Sequence, residues 1–140
     1  MKRYLIFAAL VPLIGGFLLL LTSTVMSRYW IPPSFSDVGK FLAGFFMTIQ
    51  YSYLFGIVPA LMIGAVDDIL FHVKRMGAVT RMLAVGVIAF IAADLLYASR
   101  GSDSGALQVV LYGLVGFIPA TLSSWLSREV GSPAVAKAAE

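Results

Sequence analysis

Residues 41–66 read FLAGFFMTIQYSYLFGIVPALMIGAV, a run of 26 residues without one charged side chain. A helix needs about 20 predominantly apolar residues to cross the hydrocarbon core of a bilayer, so this run is long enough to do so. Three more apolar runs flank it, and only Asp94 interrupts them. The sequence therefore predicts an all-α polytopic membrane protein with four transmembrane helices, at about 4–27, 41–66, 82–99 and 105–127.

The composition places the chain outside the range of soluble domains. Of its 140 residues, 60% are hydrophobic and 12% are charged, against about 45–50% and about 25% in soluble globular proteins. There is no cysteine, which excludes disulfides, thiolate catalysis and cysteine-ligated metals. We expect one four-helix transmembrane domain at 1–130, followed by a flexible C-terminal tail at 131–140.

The distribution of lysine and arginine predicts the orientation in the membrane. If four helices alternate across the bilayer, seven of the ten basic residues fall on one side. Basic residues in short loops favour the cytoplasmic side, so we expect a multi-pass protein of the cell membrane with both termini cytoplasmic. The basic residues form no stripe interleaved with aromatics, and we expect no nucleic-acid partner. The cytoplasmic set is Lys2, Arg3, Lys74, Arg75, Arg81, Arg128 and Lys137.

Proline and serine residues mark the start of the second helix. The diproline at 32–33 stops any continuous helix. Ser34, with Asp37 three residues later, has the spacing of a capping box, and Ser36 is the alternative N-cap residue. We therefore expect the helix to start near residues 35–37.

The second helix should extend beyond its apolar run. Asp67 and Asp68 would face the negative pole of the helix if it ended there, and we expect it to continue to residues 74–77, where two basic residues precede a glycine. Asp68 and His72 are one helical turn apart, so Asp67, Asp68 and His72 form a candidate cytoplasmic polar cluster. One helix supplies too few ligands for a metal, and we interpret the cluster as a solvated helix end.

The second and fourth spans share an internal repeat. Residues 56–60 read GIVPA and residues 116–120 read GFIPA. Each helix carries small residues at every fourth position, which lets membrane helices approach closely. The repeat predicts two tandem hairpins related by a parallel pseudo-repeat; the alternative is a chance match, since glycine and proline are frequent in membrane helices. The predicted helix-packing residues are Gly56, Pro59, Ala60, Gly64, Gly116, Pro119, Ala120 and Ser124.

The first copy of this repeat lies in a segment that resembles known proteins. The resemblance is to small uncharacterised four-span inner-membrane proteins of proteobacteria. It implies four membrane spans and no particular activity, because the function of that family is unknown. The pattern that carries it is Tyr53-x-x-Gly56-x-x-Pro59-Ala60-Leu61-x-x-Gly64.

Asp94 is the one charged residue inside a predicted span. A charge in hydrocarbon usually faces the bundle interior or water, and it often has a function. Gln50 and Tyr97 can lie at the same depth if the long second span tilts, so Gln50, Asp94 and Tyr97 form a candidate polar or ion site. The alternative is structural, with Asp94 reaching the interface or pairing with Arg100 and Gln50 bonding a neighbouring helix.

The sequence holds no phosphate-binding loop, catalytic triad or histidine cluster, so we expect no enzyme activity, no cofactor and no metal. Two hypotheses remain. The first is a non-enzymatic accessory, assembly or scaffold protein, whose partners are the lipid bilayer and either a second copy of itself or another membrane protein. The second is a small transporter or channel that acts as a dimer, with Asp94 and Gln50 lining the path.

Overall fold

The computed structural model describes residues 2–27, 34–73, 76–97 and 105–130. Within these ranges the chain is entirely helical apart from short connections. The prediction of an all-α protein with four helices is confirmed. The helices are α1 (Lys2–Met26), α2 (Phe35–His72), α3 (Ala78–Tyr97) and α4 (Ala106–Val130). The predicted tail at 131–140 lies outside the described residues.

All four helices are long and apolar enough to cross a membrane. Their candidate spans have a mean hydropathy between 1.7 and 2.5. The 38 residues of α2 correspond to a length of about 57 Å, nearly twice the hydrocarbon thickness of about 30 Å. This helix must therefore tilt or project beyond the hydrocarbon core. The chain is a multi-pass membrane protein by the length and composition of its helices.

The start of α2 agrees with the prediction, but its capping does not. Ser34 occupies the N-cap position with extended backbone, and the helix begins at Phe35. Ser34 makes no side-chain capping bond, and its hydroxyl lies 3.3 Å from that of Ser36. Asp37 instead pairs with Lys40 at 3.7 Å. The predicted capping box does not form because both side chains that would close it have other partners.

The other end of α2 comes slightly before the predicted one. The helix continues past Asp67 and Asp68, as predicted, but it ends at His72 rather than at residues 74–77. Val73 is the C-cap residue, in extended conformation, and its N–H bonds the Leu70 carbonyl at 3.3 Å. Lys74 and Arg75 lie outside the described residues.

The helices are arranged in the order α2, α1, α4, α3. Contacts are extensive between α1 and α2, α1 and α4, and α3 and α4, whereas α2 meets α3 much less and α4 hardly at all. Each extensive contact is antiparallel. In the first, Tyr53 donates a hydrogen bond to the Ala9 carbonyl at 2.8 Å; in the second, Gly15 faces Val115 and Pro119.

The small-residue stripes pack within the two consecutive helix pairs. Gly56 faces Pro12 and Gly64 faces Phe7, so the α2 stripe contacts α1. On α4, a Cβ added at Gly116 would collide with α3, against the Ala89 carbonyl and the Ala93 side chain. The glycines of the α2 stripe therefore pack against α1, and Gly116 of the α4 stripe packs against α3. In both helix pairs the absence of a side chain at glycine allows the two backbones to approach closely.

The interior of the bundle is small and mixed in polarity. Its apolar core joins Phe7, Ile63, Val85, Ala89 and Ala120, while Asp67, Arg81 and three serines of α4 are also buried. Large apolar side chains are exposed over much of the surface, for example Phe55 at 73%. This distribution fits lipid as the surrounding solvent, because exposed apolar groups cost nothing in hydrocarbon and polar groups must find partners inside.

Candidate functional site

The antiparallel arrangement gathers charged side chains at one end of the bundle. The start of α1, the C-terminal part of α2, the start of α3 and the C-terminal part of α4 meet there. We call this region the charged end. It comprises Arg3, Asp67, Asp68, Phe71, Arg81, Ser124 and Ser127.

Asp67 connects three helices. Its side chain is completely buried, and its Oδ1 lies 3.2 Å from Nε of Arg81 on α3. The same oxygen accepts a 2.5 Å hydrogen bond from Ser124 Oγ on α4. Its Oδ2 lies 3.3 Å from Ser127 Oγ, also on α4. One carboxylate of α2 thus binds both α3 and α4, and we call these four residues the Asp67 network.

The hydroxyls and the guanidinium contribute differently to this network. Arg81 is 5% exposed, and its Nε makes no hydrogen bond despite the short distance to Oδ1. The Arg81 contact is therefore an ion pair, and the two serines supply the hydrogen bonds. Ser127 also donates to the Ser124 carbonyl at 2.8 Å, so its hydroxyl is shared and its bond to Asp67 is the weaker one.

A second, more exposed set of contacts surrounds the network. The Arg3 guanidinium lies over the Phe71 ring, 3.4 Å from the ring centroid, and Arg81 lies 5.1 Å from the same centroid. Arg3 Nη1 is 3.9 Å from Oδ1 of Asp68, whose side chain is 35% exposed. Phe71 thus makes cation–π contacts with two guanidiniums, and the two arginines and two aspartates balance in formal charge.

The three residues of the candidate cytoplasmic cluster, Asp67, Asp68 and His72, lie in different environments. Asp67 points into the bundle, so the expectation of a solvated helix end is wrong for this residue. Asp68 faces Arg3. His72 is exposed and contacts the Asp68 backbone oxygen at 2.8 Å rather than its carboxylate. In the part of the chain that the structure describes, no three metal-binding side chains gather.

The partners of Asp67 were missed at the sequence level. The sequence patterns indicate only an effect on orientation for Arg81 and a packing role for Ser124, and they indicate no role for Ser127. One feature could have identified them: Arg81 lies in the first turn of a span-length helix, and a charge there needs a partner in the bundle. The sequence alone does not say which helix faces turn toward each other.

The three residues of the candidate polar site have different environments. Gln50 is exposed on α2. Asp94 is half-buried on α3, and its Oδ1 is enclosed without a hydrogen-bond partner. Tyr97 stacks on Tyr112 of α4, with ring centroids 6.1 Å apart. Within the described ranges no hydrogen bond joins these three side chains, and Arg100, the alternative partner of Asp94, lies outside them.

A cavity of about 670 Å³ lies between the helices, away from the charged end. All four helices line it, and none of the lining residues carries a charge. Along α1 it extends from Val11 to Ser23, and along α2 from Ile63 to Thr48. Tyr97 lines it as well, whereas Gln50 and Asp94 do not.

Comparison with known proteins gives a family but no activity. No curated protein and no solved structure matches the chain. Residues 1–131 match a family of unknown function, DUF5413. This match agrees with the resemblance to an uncharacterised family, and it covers all four helices. The chain belongs to the family of unknown function DUF5413.

Proposed function

We propose that this protein is a non-enzymatic accessory, assembly or scaffold protein of the bacterial inner membrane. The supporting observation is the Asp67 network, in which a fully buried carboxylate is bound on both oxygens by helices of its own bundle. A catalytic carboxylate must reach a substrate proton within hydrogen-bond distance. Asp67 has no exposed surface with which to do so, and its role is to fix the arrangement of helices that a partner meets.

In this proposal the bundle consists of two tandem hairpins with both termini in the cytoplasm. The extensive α1–α2 and α3–α4 contacts support the hairpins. The positive-inside rule supports a cytoplasmic charged end, since Arg3, Arg81 and Arg128 lie at that end of their helices. A fluorescent protein fused to the C-terminus should fold and fluoresce, and alkaline phosphatase fused there should be inactive. Active phosphatase at the C-terminus would contradict the orientation.

The accessory role is tested by purification in mild detergent with quantitative mass spectrometry. We expect one membrane protein, or a second copy of this chain, to co-purify in fixed stoichiometry. The complex should be lost in Arg81→Ala, which disturbs the helix arrangement, and retained in Arg128→Ala, which removes an exposed cation of α4. A native protein that is monomeric and without a stoichiometric partner contradicts the proposal.

The second candidate is a small transporter or channel that acts as a dimer, with Asp94 and Gln50 lining the path. It is supported by the enclosed Oδ1 of Asp94, which has no hydrogen-bond partner, because such a group in a span can take up a proton or cation. Proton or cation flux into proteoliposomes should then occur with the native protein and be abolished in Asp94→Asn. Absence of flux with the native protein would exclude this candidate.

A further inference from the structure

The cavity occupies the side of the bundle where α2 and α3 separate. These two helices touch little, and the ion pair between Asp67 and Arg81 joins them at the charged end. Beyond that pair, the facing sides of α2 and α3 both line the cavity, with α1 and α4 behind it. The cavity is partly open, and one of its lining residues on α2, Phe55, is exposed to the surrounding lipid.

The cavity is long and narrow. Val11 and Ser23, at its two ends, are 12 residues apart on α1, which corresponds to about 18 Å. A volume of about 670 Å³ spread over that length leaves a width of about 7 Å. A transmembrane helix is about 10 Å wide and over the same length of about 18 Å would occupy about 1,400 Å³, so a helix of a second copy does not fit. A polymethylene chain, with carbon contacts at about 4 Å, does fit.

The two ends of the cavity differ in chemistry. The end nearer the Asp67 network is lined by Val11, Ile63, Ala89 and Ala120, which offer only apolar side chains. Apolar cavities do not retain water, so this end suits a hydrocarbon chain. The opposite end carries hydroxyl groups, and they belong to Ser23, Thr48, Tyr51, Ser52 and Tyr97.

Several of these hydroxyls are available to a ligand. Ser23 and Thr48 donate to carbonyls of their own helices. The hydroxyls of Tyr51, Ser52 and Tyr97, in contrast, form no hydrogen bond with another residue in the described ranges, and they are not enclosed by protein. A cavity that is apolar at one end and hydroxyl-lined at the other is complementary to an amphiphile with an uncharged, hydrogen-bonding group next to its chain.

We propose that this cavity binds the acyl chain of a membrane lipid, with the ester region of the lipid held by the hydroxyls of Tyr51, Ser52 and Tyr97. The chain enters between α2 and α3 and ends near Ile63 and Ala120. The Asp67 network closes the far end, because it joins the two helices that flank the opening. This lipid site is distinct from the proposed accessory function, and each can fail without the other.

A photoreactive lipid tests the proposal. The native protein is reconstituted in nanodiscs that contain a trace of phosphatidylcholine with a diazirine at the end of one acyl chain. The discs are exchanged against excess unlabelled lipid and irradiated, and labelled residues are identified by mass spectrometry. We expect labelling near Ile63 and Ala120 to survive the exchange longer than labelling of outward-facing Val58, which is 61% exposed.

Matched variants distinguish the cavity from the lipid annulus. Ala92→Phe places a ring in the cavity, and Ala43→Phe places the same ring on an exposed position of α2 outside it. Leu96→Trp and Leu95→Trp form a second pair, since Leu96 lines the cavity and its neighbour does not. Interior labelling should fall several-fold in Ala92→Phe and Leu96→Trp and stay unchanged in the two controls, with helicity by circular dichroism equal in all four.

Two outcomes would overturn the lipid site. In the first, labelling is confined to outward-facing residues of the native protein. In the second, interior labelling is the same in Ala92→Phe as in Ala43→Phe while both variants remain folded. A third measurement addresses the hydroxyls: Tyr51→Phe should shorten the retention of the interior label without moving its position, and unchanged retention in Tyr51→Phe combined with Ser52→Ala would contradict their role.

Discussion

The charged end and the cavity end of the bundle are held together in different ways. At the charged end, Asp67 joins α2 to α3 and α4 through an ion pair and two hydroxyls. At the other end, α2 diverges from α3 around an uncharged cavity, while α3 and α4 remain in close contact at Gly116. In lipid, burial of apolar side chains gives little driving force, because hydrocarbon surrounds them in either state. Helices therefore meet closely where polar pairs or glycines bring them together, and they separate where neither is present.

The largest expected effect in this comparison is that of Arg81→Ala. Removal of the guanidinium leaves the Asp67 carboxylate buried without its counter-ion, which typically costs about 3–5 kcal/mol. Unfolding by sodium dodecyl sulfate in mixed micelles should show this loss, while Arg128→Ala, at an exposed position of α4, should unfold like the native protein. Equal stability of the two variants would contradict a structural role for the ion pair.

A double variant sharpens the same point. Asp67→Leu combined with Arg81→Met replaces both charges with apolar groups, and such replacements are often neutral or stabilising. We expect the double variant to recover most of the stability that Arg81→Ala loses, because no charge remains unpaired. A double variant as unstable as Arg81→Ala would indicate that the network is needed for its geometry rather than for its charge balance.

The next effect concerns the close approach of α3 and α4. A Cβ at Gly116 would overlap with the Ala89 backbone, which cannot move as a side chain can, so Gly116→Ala should destabilise the bundle by about 1–3 kcal/mol. Gly44→Ala is the control, because nothing lies within 4 Å of a Cβ at that position. The same unfolding assay applies. A neutral Gly116→Ala would imply that α3 and α4 are farther apart than described.

A smaller effect is expected from the hydroxyls of the Asp67 network. Ser124→Ala removes a 2.5 Å bond to the carboxylate, and hydrogen bonds between membrane helices are worth about 0.6 to 2 kcal/mol. Ser127→Ala removes a longer bond of 3.3 Å and should cost less. Ser23→Ala, whose hydroxyl bonds only its own helix, should have no effect. We expect the loss of stability to decrease in the order Ser124→Ala, Ser127→Ala, Ser23→Ala. A reversed order would contradict the assignment of the stronger hydrogen bond to Ser124.

The smallest expected effect is that of Phe71→Leu. The change keeps an apolar side chain but removes the ring that lies beneath Arg3 and beside Arg81. Cation–π contacts at partly exposed sites contribute about 0.5–1 kcal/mol, so the loss should be small and independent of salt. Phe55→Leu, at an exposed position without such a contact, is the control. A loss as large as that of Arg81→Ala would place Phe71 among the main determinants of the charged end.

The sequence predicted the helices better than it predicted their contacts. The start of α2 at Phe35 follows from the preceding diproline, and the extension of α2 past Asp67 follows from the helix dipole. Both arguments concern neighbouring residues. The same local reasoning treated Asp67 as solvated, because nothing within one turn of it indicates that Arg81 and Ser124 turn toward it.

The stripes of small residues show the same limit. Their spacing predicted close helix contacts, and Gly64 does face Phe7 of α1. Ser124 belongs to the second stripe by its size, yet in the structure its hydroxyl matters more, because it donates to Asp67. The sequence of one helix shows the size of each of its side chains. It does not show which residue of another helix will be the hydrogen-bond partner of that side chain.

The sequence by itself determined that four helices form and that each is long and apolar enough to cross a membrane, because the length and polarity of each segment decide which solvent suits it. The tertiary structure decided which polar groups meet. Asp67 and Ser124 are 57 residues apart in sequence, and their contact depends on the rotation and depth of two helices that hardly touch elsewhere. The cavity has the same origin, since its space exists only where α2 and α3 separate.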